Sequence, residues 1–151
     1  MNIQDLGAVG ELIGSVAVVV TLIYLAKQIR QNTKVSESFV RQQVAESAQT
    51  AYFTAVESKE FSELIYRGFN GGEINDEEVP QFARFLNGIF LNWEQAYYQH
   101  SAGLYSDWDS VLKPRIAETL KKSEFVRNWW HQNRALFSHD FSNQIDHLST
   151  S

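Results

Sequence analysis

The stretch LGAVGELIGSVAVVVTLIYLA, residues 6–26, decides how this chain is built. Glu11 is its only charged residue, and valine, leucine and isoleucine dominate the rest. As an α-helix rising about 1.5 Å per residue, the stretch would be about 31 Å long, close to the hydrocarbon thickness of about 30 Å of a bilayer. We therefore predict one transmembrane helix over residues 6–26. The alternative is the buried core helix of a soluble protein, which the lack of periodic polar positions disfavours.

The flanks of this segment predict its orientation. Lys27, Arg30 and Lys34 follow it closely, whereas only Asp5 and the terminal amine precede it. The positive-inside rule therefore places the amino terminus outside and the carboxyl-terminal part in the cytoplasm. Tyr24 and the three basic residues have the amphipathic character expected at the inner headgroup boundary. The acidic leader and the absence of a small-residue cleavage site favour an uncleaved anchor over a signal peptide.

Three glycines share one face of the predicted span. At 100° per residue, Gly7, Gly10 and Gly14 fall within about 60° of one another. Gly10 and Gly14 form a GxxxG pair, which allows two helix backbones to approach closely in lipid. Glu11 lies beside this face, and an intramembrane carboxylate needs a partner or water. We predict a helix-packing role for the glycines, and for Glu11 either contact with the outer headgroups or a place near a helix contact.

Composition limits the remaining possibilities. The chain has 151 residues, with 13 basic and 18 acidic side chains and a net charge of −5. This charge argues against a nucleic-acid partner. There is no cysteine, which excludes disulfides, thiolate zinc sites and cysteine nucleophiles. The length predicts one soluble domain in addition to the span.

Beyond the span, apolar residues recur at spacings of three and four and no sustained alternation of period two appears, so we predict an all-α bundle of about four to six helices. The longest apolar stripe, residues 79–97, is the candidate for the centre of the core. Asn75 with Glu78 resembles a capping box before it, and Gly103 ends it. Pro114 should kink or split the helix around it.

The predicted division of the chain has five parts. A short exterior tail of residues 1–5 precedes the transmembrane helix of residues 6–26. A basic juxtamembrane segment, residues 27–34, then leads into a helical cytoplasmic domain of residues 35–148, which begins with an amphipathic helix of residues 35–57. Residues 149–151 form a disordered polar tail.

The sequence carries no recognisable catalytic or metal-binding motif. The histidines lack the HExxH and ExxH spacings that place two ligands on one helix face. A composite site stays open, with surface histidines as the preferred interpretation; its members would be Glu94, His100, His131 and His139. Six aromatic residues are candidates for a ligand pocket, with core packing as the simpler explanation: Trp93, Tyr97, Tyr98, Trp108, Trp129 and Trp130. We predict no catalytic residue, no metal and no cofactor.

Three segments carry a resemblance to known sequences: GELIGSVAVVVTLIYLAKQIRQNT (10–33), FLNGIFLNWEQAYYQ (85–99) and FVRNWWHQNRALFS (125–138). With them the chain resembles a group of small uncharacterised bacterial membrane proteins with one amino-terminal transmembrane helix and a helical cytoplasmic domain. The resemblance implies this architecture and a bacterial inner-membrane location. It implies no activity and no functional residues.

These observations favour a membrane-anchored interaction or accessory protein. It would self-associate through the glycine face or join a larger inner-membrane complex, so its expected partners are the lipid bilayer and either further copies or other membrane proteins. An enzyme or sensor with a small-ligand or metal site among the aromatic helices is the alternative, and the question of enzymatic activity stays open. A small homo-oligomeric pore with Glu11 near its mouth is the third hypothesis.

Overall fold

A computed structural model describes residues 3–56 and 58–149, and its secondary structure is helical. Within these ranges there is no β-strand, which confirms the all-α prediction. These ranges contain six α-helices, and the five that follow the first one agree with the predicted four to six. They are α1 (Ile3–Val56), α2 (Lys59–Phe69), α3 (Val79–Ser101), α4 (Lys113–Lys122), α5 (Glu124–Asn133) and α6 (His139–Ser149); a π-helical turn (Trp108–Leu112) precedes α4, and a 3₁₀ turn (Arg134–Leu136) follows α5.

Helix α1 contains three of the segments predicted from sequence. The predicted span (6–26), the basic segment (27–34) and the amphipathic helix (35–57) lie on one continuous helix, Ile3–Val56, and residue 57 lies outside the described part. The physical reason is that no glycine or proline occurs between residues 15 and 56, so nothing in the backbone ends the helix at the membrane boundary. Residues 3–5 of the predicted exterior tail belong to α1, and residues 1–2 lie outside the described part. Of the predicted disordered tail, residue 149 belongs to α6 and residues 150–151 also lie outside the described part.

The chain divides into two compact units, with the boundary between residues 38 and 39. The first unit consists of the amino-terminal part of α1. The second unit contains the hydrophobic core, to which α3 contributes Phe82, Leu86, Phe90 and Ala96. Around Phe90 the aromatic rings are densely packed, and the Trp130 ring stacks on it at a centroid distance of 5.0 Å. The apolar stripe of α3 therefore contributes to the core, as its spacing predicted.

Local sequence signals account for several helix ends in the second unit. The Ser123 hydroxyl accepts a hydrogen bond from the backbone N–H of Val126 at 3.2 Å and caps α5. After α2 and α3 the chain turns through Gly71 and Gly103, whose φ angles are +77° and +73°. Glycine adopts this left-handed conformation without the steric cost that a Cβ would add.

Two features predicted near helix starts, the Asn75–Glu78 capping box and the break around Pro114, have geometries that the sequence did not specify. The Glu78 carboxylate accepts a hydrogen bond from the backbone N–H of Asn75 at 3.0 Å, but a turn follows and α3 begins only at Val79. Pro114 lies in the first turn of α4, because the π-helical turn before it separates that helix from the preceding loop. The helix is thus split at this point, one of the two predicted outcomes.

Candidate functional site

The first unit exposes an apolar helix surface. In the described part of the chain, α1 is the one helix long and apolar enough to cross a membrane, and the most apolar part of it is not buried within the molecule. From Val9 to Leu25 its large apolar side chains are between 46% and 66% exposed. The hydroxyls of Ser15 and Thr21 donate to the carbonyl oxygens of Leu12 and Ala17, both at 2.8 Å, so the helix itself satisfies them.

The predicted packing glycines lie on open helix surface. A Cβ added at Gly7, Gly10 or Gly14 would meet no atom within 4 Å apart from the local helix. Glu11 is exposed and, among the described residues, has no hydrogen-bond or ion-pair partner. The helix surface is therefore accessible to a neighbour, and both predicted positions of Glu11 stay predictions.

The predicted interface residues follow on the same helix. The Tyr24 hydroxyl accepts a hydrogen bond from the Gln28 side-chain amide at 2.8 Å. The three basic residues, Lys27, Arg30 and Lys34, are exposed, and within the described ranges they form no ion pair with the protein. Their charges are thus available to solvent or to anionic headgroups.

Two residues of the candidate composite metal site, Glu94 and His100, make structural contacts. Glu94 accepts a hydrogen bond from the backbone N–H of Ser138 at 2.6 Å, ahead of α6. His100 contacts the Tyr105 carbonyl oxygen at 3.0 Å through Nδ1 and the Asp109 carboxylate at 3.4 Å through Nε2. His131 and His139 are exposed. In the part of the chain that the structure describes, no group of three or more histidine or acidic side chains is placed to hold a metal.

The aromatic residues proposed from sequence separate into core and surface. Trp108, Trp129 and Trp130 are buried, and Trp130 donates from Nε1 to Asp146 at 2.9 Å. The Tyr98 ring is exposed, whereas that of Tyr97 packs on the ring of Trp108. Trp93 lines a cavity. Core packing therefore accounts for most of this set.

That cavity lies in the second unit, between the last part of α1, α2 and α3. Its volume is about 660 Å³, within the range of about 300 to 1,000 Å³ for small-molecule sites. The apolar side chains that form the floor and walls of the cavity are Val40, Val44, Ala48, Ile65, Phe69, Phe85, Ile89, Trp93, Ala96 and Leu112. The polar side chains that line it are Gln43, Glu46, Ser47, Thr50, Asn92, Gln95 and Gln99.

Two polar contacts attach the last part of α1 to the rest of the second unit. The Arg41 guanidinium pairs with the Asp107 carboxylate at 2.7 Å, and the Ser47 hydroxyl donates to the Asn92 side-chain oxygen at 2.6 Å. The second contact is made by two lining residues. These bonds, together with the buried Val40, position the wall of the cavity that α1 supplies.

The most strongly paired carboxylate lies outside the cavity. Arg67 donates to both oxygens of Glu78, at 2.7 Å and 3.2 Å, and to the Glu73 carbonyl oxygen at 2.6 Å. The hydrogen bonds from Arg67, with the one from the Asn75 N–H, hold the pKa of Glu78 below its ordinary value. The paired Glu78 carboxylate ties the end of α2 to the start of α3 and has a structural role.

Burial raises the pKa of Tyr105, and the nearby charge of Asp107 adds to that effect.

No family model, curated protein or solved structure matches this chain.

The sequence offered a ligand pocket among the aromatic helices as an alternative, and of its candidate residues Trp93 lines the cavity. A signal for it exists on α3, where Asn92, Gln95 and Gln99 recur at spacings of three and four beside the apolar stripe and so share one face. The contribution of Gln43 from α1 had no local signal.

Proposed function

We propose that this chain is a single-pass membrane protein whose second unit serves as a helical interaction or accessory module. The observation that carries the proposal is the exposure of the apolar part of α1. Ten valine, leucine and isoleucine side chains between residues 9 and 25 are about half exposed or more. Full burial of one such side chain contributes about 1.5–3 kcal/mol, so leaving ten of them in water would cost on the order of 10 kcal/mol.

A bilayer covers such a surface along its whole length. Residues 6–26 match the hydrocarbon thickness, and the internal hydrogen bonds of Ser15 and Thr21 satisfy its hydroxyls there. Lys27, Arg30 and Lys34, which have no ion-pair partner among the described residues, follow the carboxyl-terminal end of the span and support a cytoplasmic location for the second unit and an exterior amino terminus. The sequence resemblance supports the bacterial inner membrane as the location.

The accessory role is supported by the chemistry of the described residues. Among the described residues, the candidate histidines and acids form no group of three or more that could hold a metal. The pKa shift of Glu78 comes from its pairing with Arg67, and that of Tyr105 comes mainly from burial. Self-association through Gly7, Gly10 and Gly14, or incorporation into a larger membrane complex, is the form of interaction that the exposed small-residue face supports.

Site-directed labelling tests the membrane topology directly, because the native chain has no cysteine. Asn2→Cys and Gln132→Cys variants are expressed in a bacterium, and the membranes are extracted with alkaline carbonate. We expect both variants to resist extraction. In intact cells a membrane-impermeant maleimide should label Asn2→Cys but not Gln132→Cys, and permeabilisation should make the second cysteine reactive. Release of the chain by carbonate would overturn the anchor, and the reverse labelling would overturn the orientation.

Affinity purification from gently solubilised membranes tests the accessory role. We expect further copies of the chain or other membrane proteins to copurify in a fixed ratio. Recovery of a monomer alone, with no partner crosslinked in cells, would overturn this part of the proposal while leaving the anchor intact.

A further inference from the structure

The cavity of the second unit combines an apolar interior with uncharged hydrogen-bonding groups. Two aromatic side chains of α2 and α3, Phe69 and Phe85, line it together with Trp93. The side-chain amides of Gln43, Gln95 and Gln99 also line it, and within residues 3–56 and 58–149 none of these three makes a hydrogen bond to the protein. A primary amide both donates and accepts, so these groups suit an uncharged polar head.

The charges around the cavity restrict the occupant further. Among the lining residues that the structure describes there is no lysine, arginine or histidine, and Glu46 is the one ionisable side chain. The Glu46 carboxylate is exposed and accepts a hydrogen bond from the Gln42 amide at 2.8 Å. An anionic head would lose water without gaining a cationic partner, which is costly. A cationic head would gain little from a carboxylate that is already hydrated and hydrogen-bonded.

We propose that this cavity binds a neutral amphiphile, with an apolar chain or ring system and an uncharged hydroxyl, amide or carbonyl head. The apolar part contacts the floor around Phe69, Phe85 and Trp93, and the head exchanges hydrogen bonds with the amides of Gln43, Gln95 and Gln99. The cavity lies entirely within the second unit, so the inference does not rest on the proposed membrane anchor.

Quenching of tryptophan fluorescence tests this proposal on the full chain in lipid nanodiscs. Three bromine-labelled probes with one chain length are titrated at alkaline pH: bromoundecanol, bromoundecanoate and bromoundecyltrimethylammonium. Bromine quenches tryptophan on contact, and Trp93 lines the cavity while the other three tryptophans are buried in the core. We expect saturable quenching by the alcohol, displaced by unlabelled undecanol, and an affinity at least about tenfold above that of either charged probe, because an unpaired charge is costly to desolvate.

Two alanines of α1 offer a matched pair of variants. Ala48 and Ala45 are both exposed, but only Ala48 lines the cavity. Ala48→Phe should fill the cavity and abolish the saturable quenching, whereas Ala45→Phe should retain it, which also controls for probe dissolved in the bilayer. Helix content by circular dichroism establishes that each variant is folded.

Three results would overturn the proposal: no saturable quenching of the native chain by the alcohol, equal binding of a charged probe, or equal quenching in a folded Ala48→Phe variant. If Ala48→Phe does not fold, the relative affinities of the three probes for the native chain still test the proposal.

Discussion

Two helical glycines should respond in opposite ways to the same substitution. Gly68 in α2 lies against the ring of the fully buried Phe82. A Cβ at this position would collide with Cζ of Phe82 and lie 2.6 Å and 2.7 Å from Cε1 and Cε2. Gly88 in α3 is exposed, and a Cβ there would meet no atom within 4 Å apart from the local helix. Gly68→Ala and Gly88→Ala therefore form a matched pair.

The expected magnitudes follow from two opposing terms. Replacing glycine by alanine in a helix interior, as at Gly88, stabilises the folded state by about 1 kcal/mol, and the gain is at most this at Gly68, in the last turn of α2. Overpacking costs about 1–3 kcal/mol, and the upper end applies at Gly68 because the Phe82 ring is wedged between Phe69 and Phe125, at centroid distances of 5.6 Å and 5.5 Å. We expect Gly68→Ala to lower the free energy of unfolding by about 2 kcal/mol and Gly88→Ala to raise it by up to about 1 kcal/mol.

Thermal unfolding followed by tryptophan fluorescence measures this difference, because all four tryptophans belong to the second unit. At about 4 °C per kcal/mol, the Tm should fall by about 8 °C for Gly68→Ala and rise by up to about 4 °C for Gly88→Ala. Adding Phe82→Leu should cost less in the Gly68→Ala background than in the native chain, because the smaller side chain makes room for the new methyl group. A Gly68→Ala variant as stable as the native chain would refute the close approach of α2 and α3.

Three further changes test other parts of the structure. Because pairing with Arg67 lowers the folded pKa of Glu78, its stabilising effect is present above the ordinary carboxyl pKa and disappears as pH falls through the lowered value. Glu78→Gln should therefore lower the Tm at neutral pH and weaken the loss of stability below about pH 5. Ser123→Ala removes the α5 cap and a 2.6 Å buried hydrogen bond to a carbonyl oxygen of α2, so the free energy of unfolding should fall by about 2 kcal/mol. Gly10→Leu should weaken crosslinking between copies in membranes, whereas Val9→Leu, beside the glycine face, should not.

Each of these predictions has an outcome that contradicts it. If Glu78→Gln loses as much stability below about pH 5 as the native chain does, the pH dependence comes from other carboxylates. Native stability of Ser123→Ala would show that other groups or water accept from the Val126 N–H and donate to the Gly68 carbonyl oxygen. Equal crosslinking of the Gly10→Leu and Val9→Leu variants would remove the glycine face as the packing surface.

Local patterns predicted much of the secondary structure. The α3 stripe and the turn at Gly103 after it depend on neighbours in sequence, so they could be inferred without tertiary information. The change in hydropathy after residue 26 left open whether the helix continues, and the structure has α1 unbroken through residue 56. A helix can pass from one environment into another with its backbone hydrogen bonds intact, so a change in composition alone does not mark its end.

The sequence by itself determined the helical class of this protein and the apolar segment that could span a bilayer, because both follow from the spacing and length of local residue patterns. Only the tertiary structure decided that Gly68 opposes Phe82 and that Gln43 of α1 lines the same cavity as Gln95 and Gln99 of α3. These placements depend on which helix faces meet across long sequence separations, and side-chain packing between the helices determines that choice.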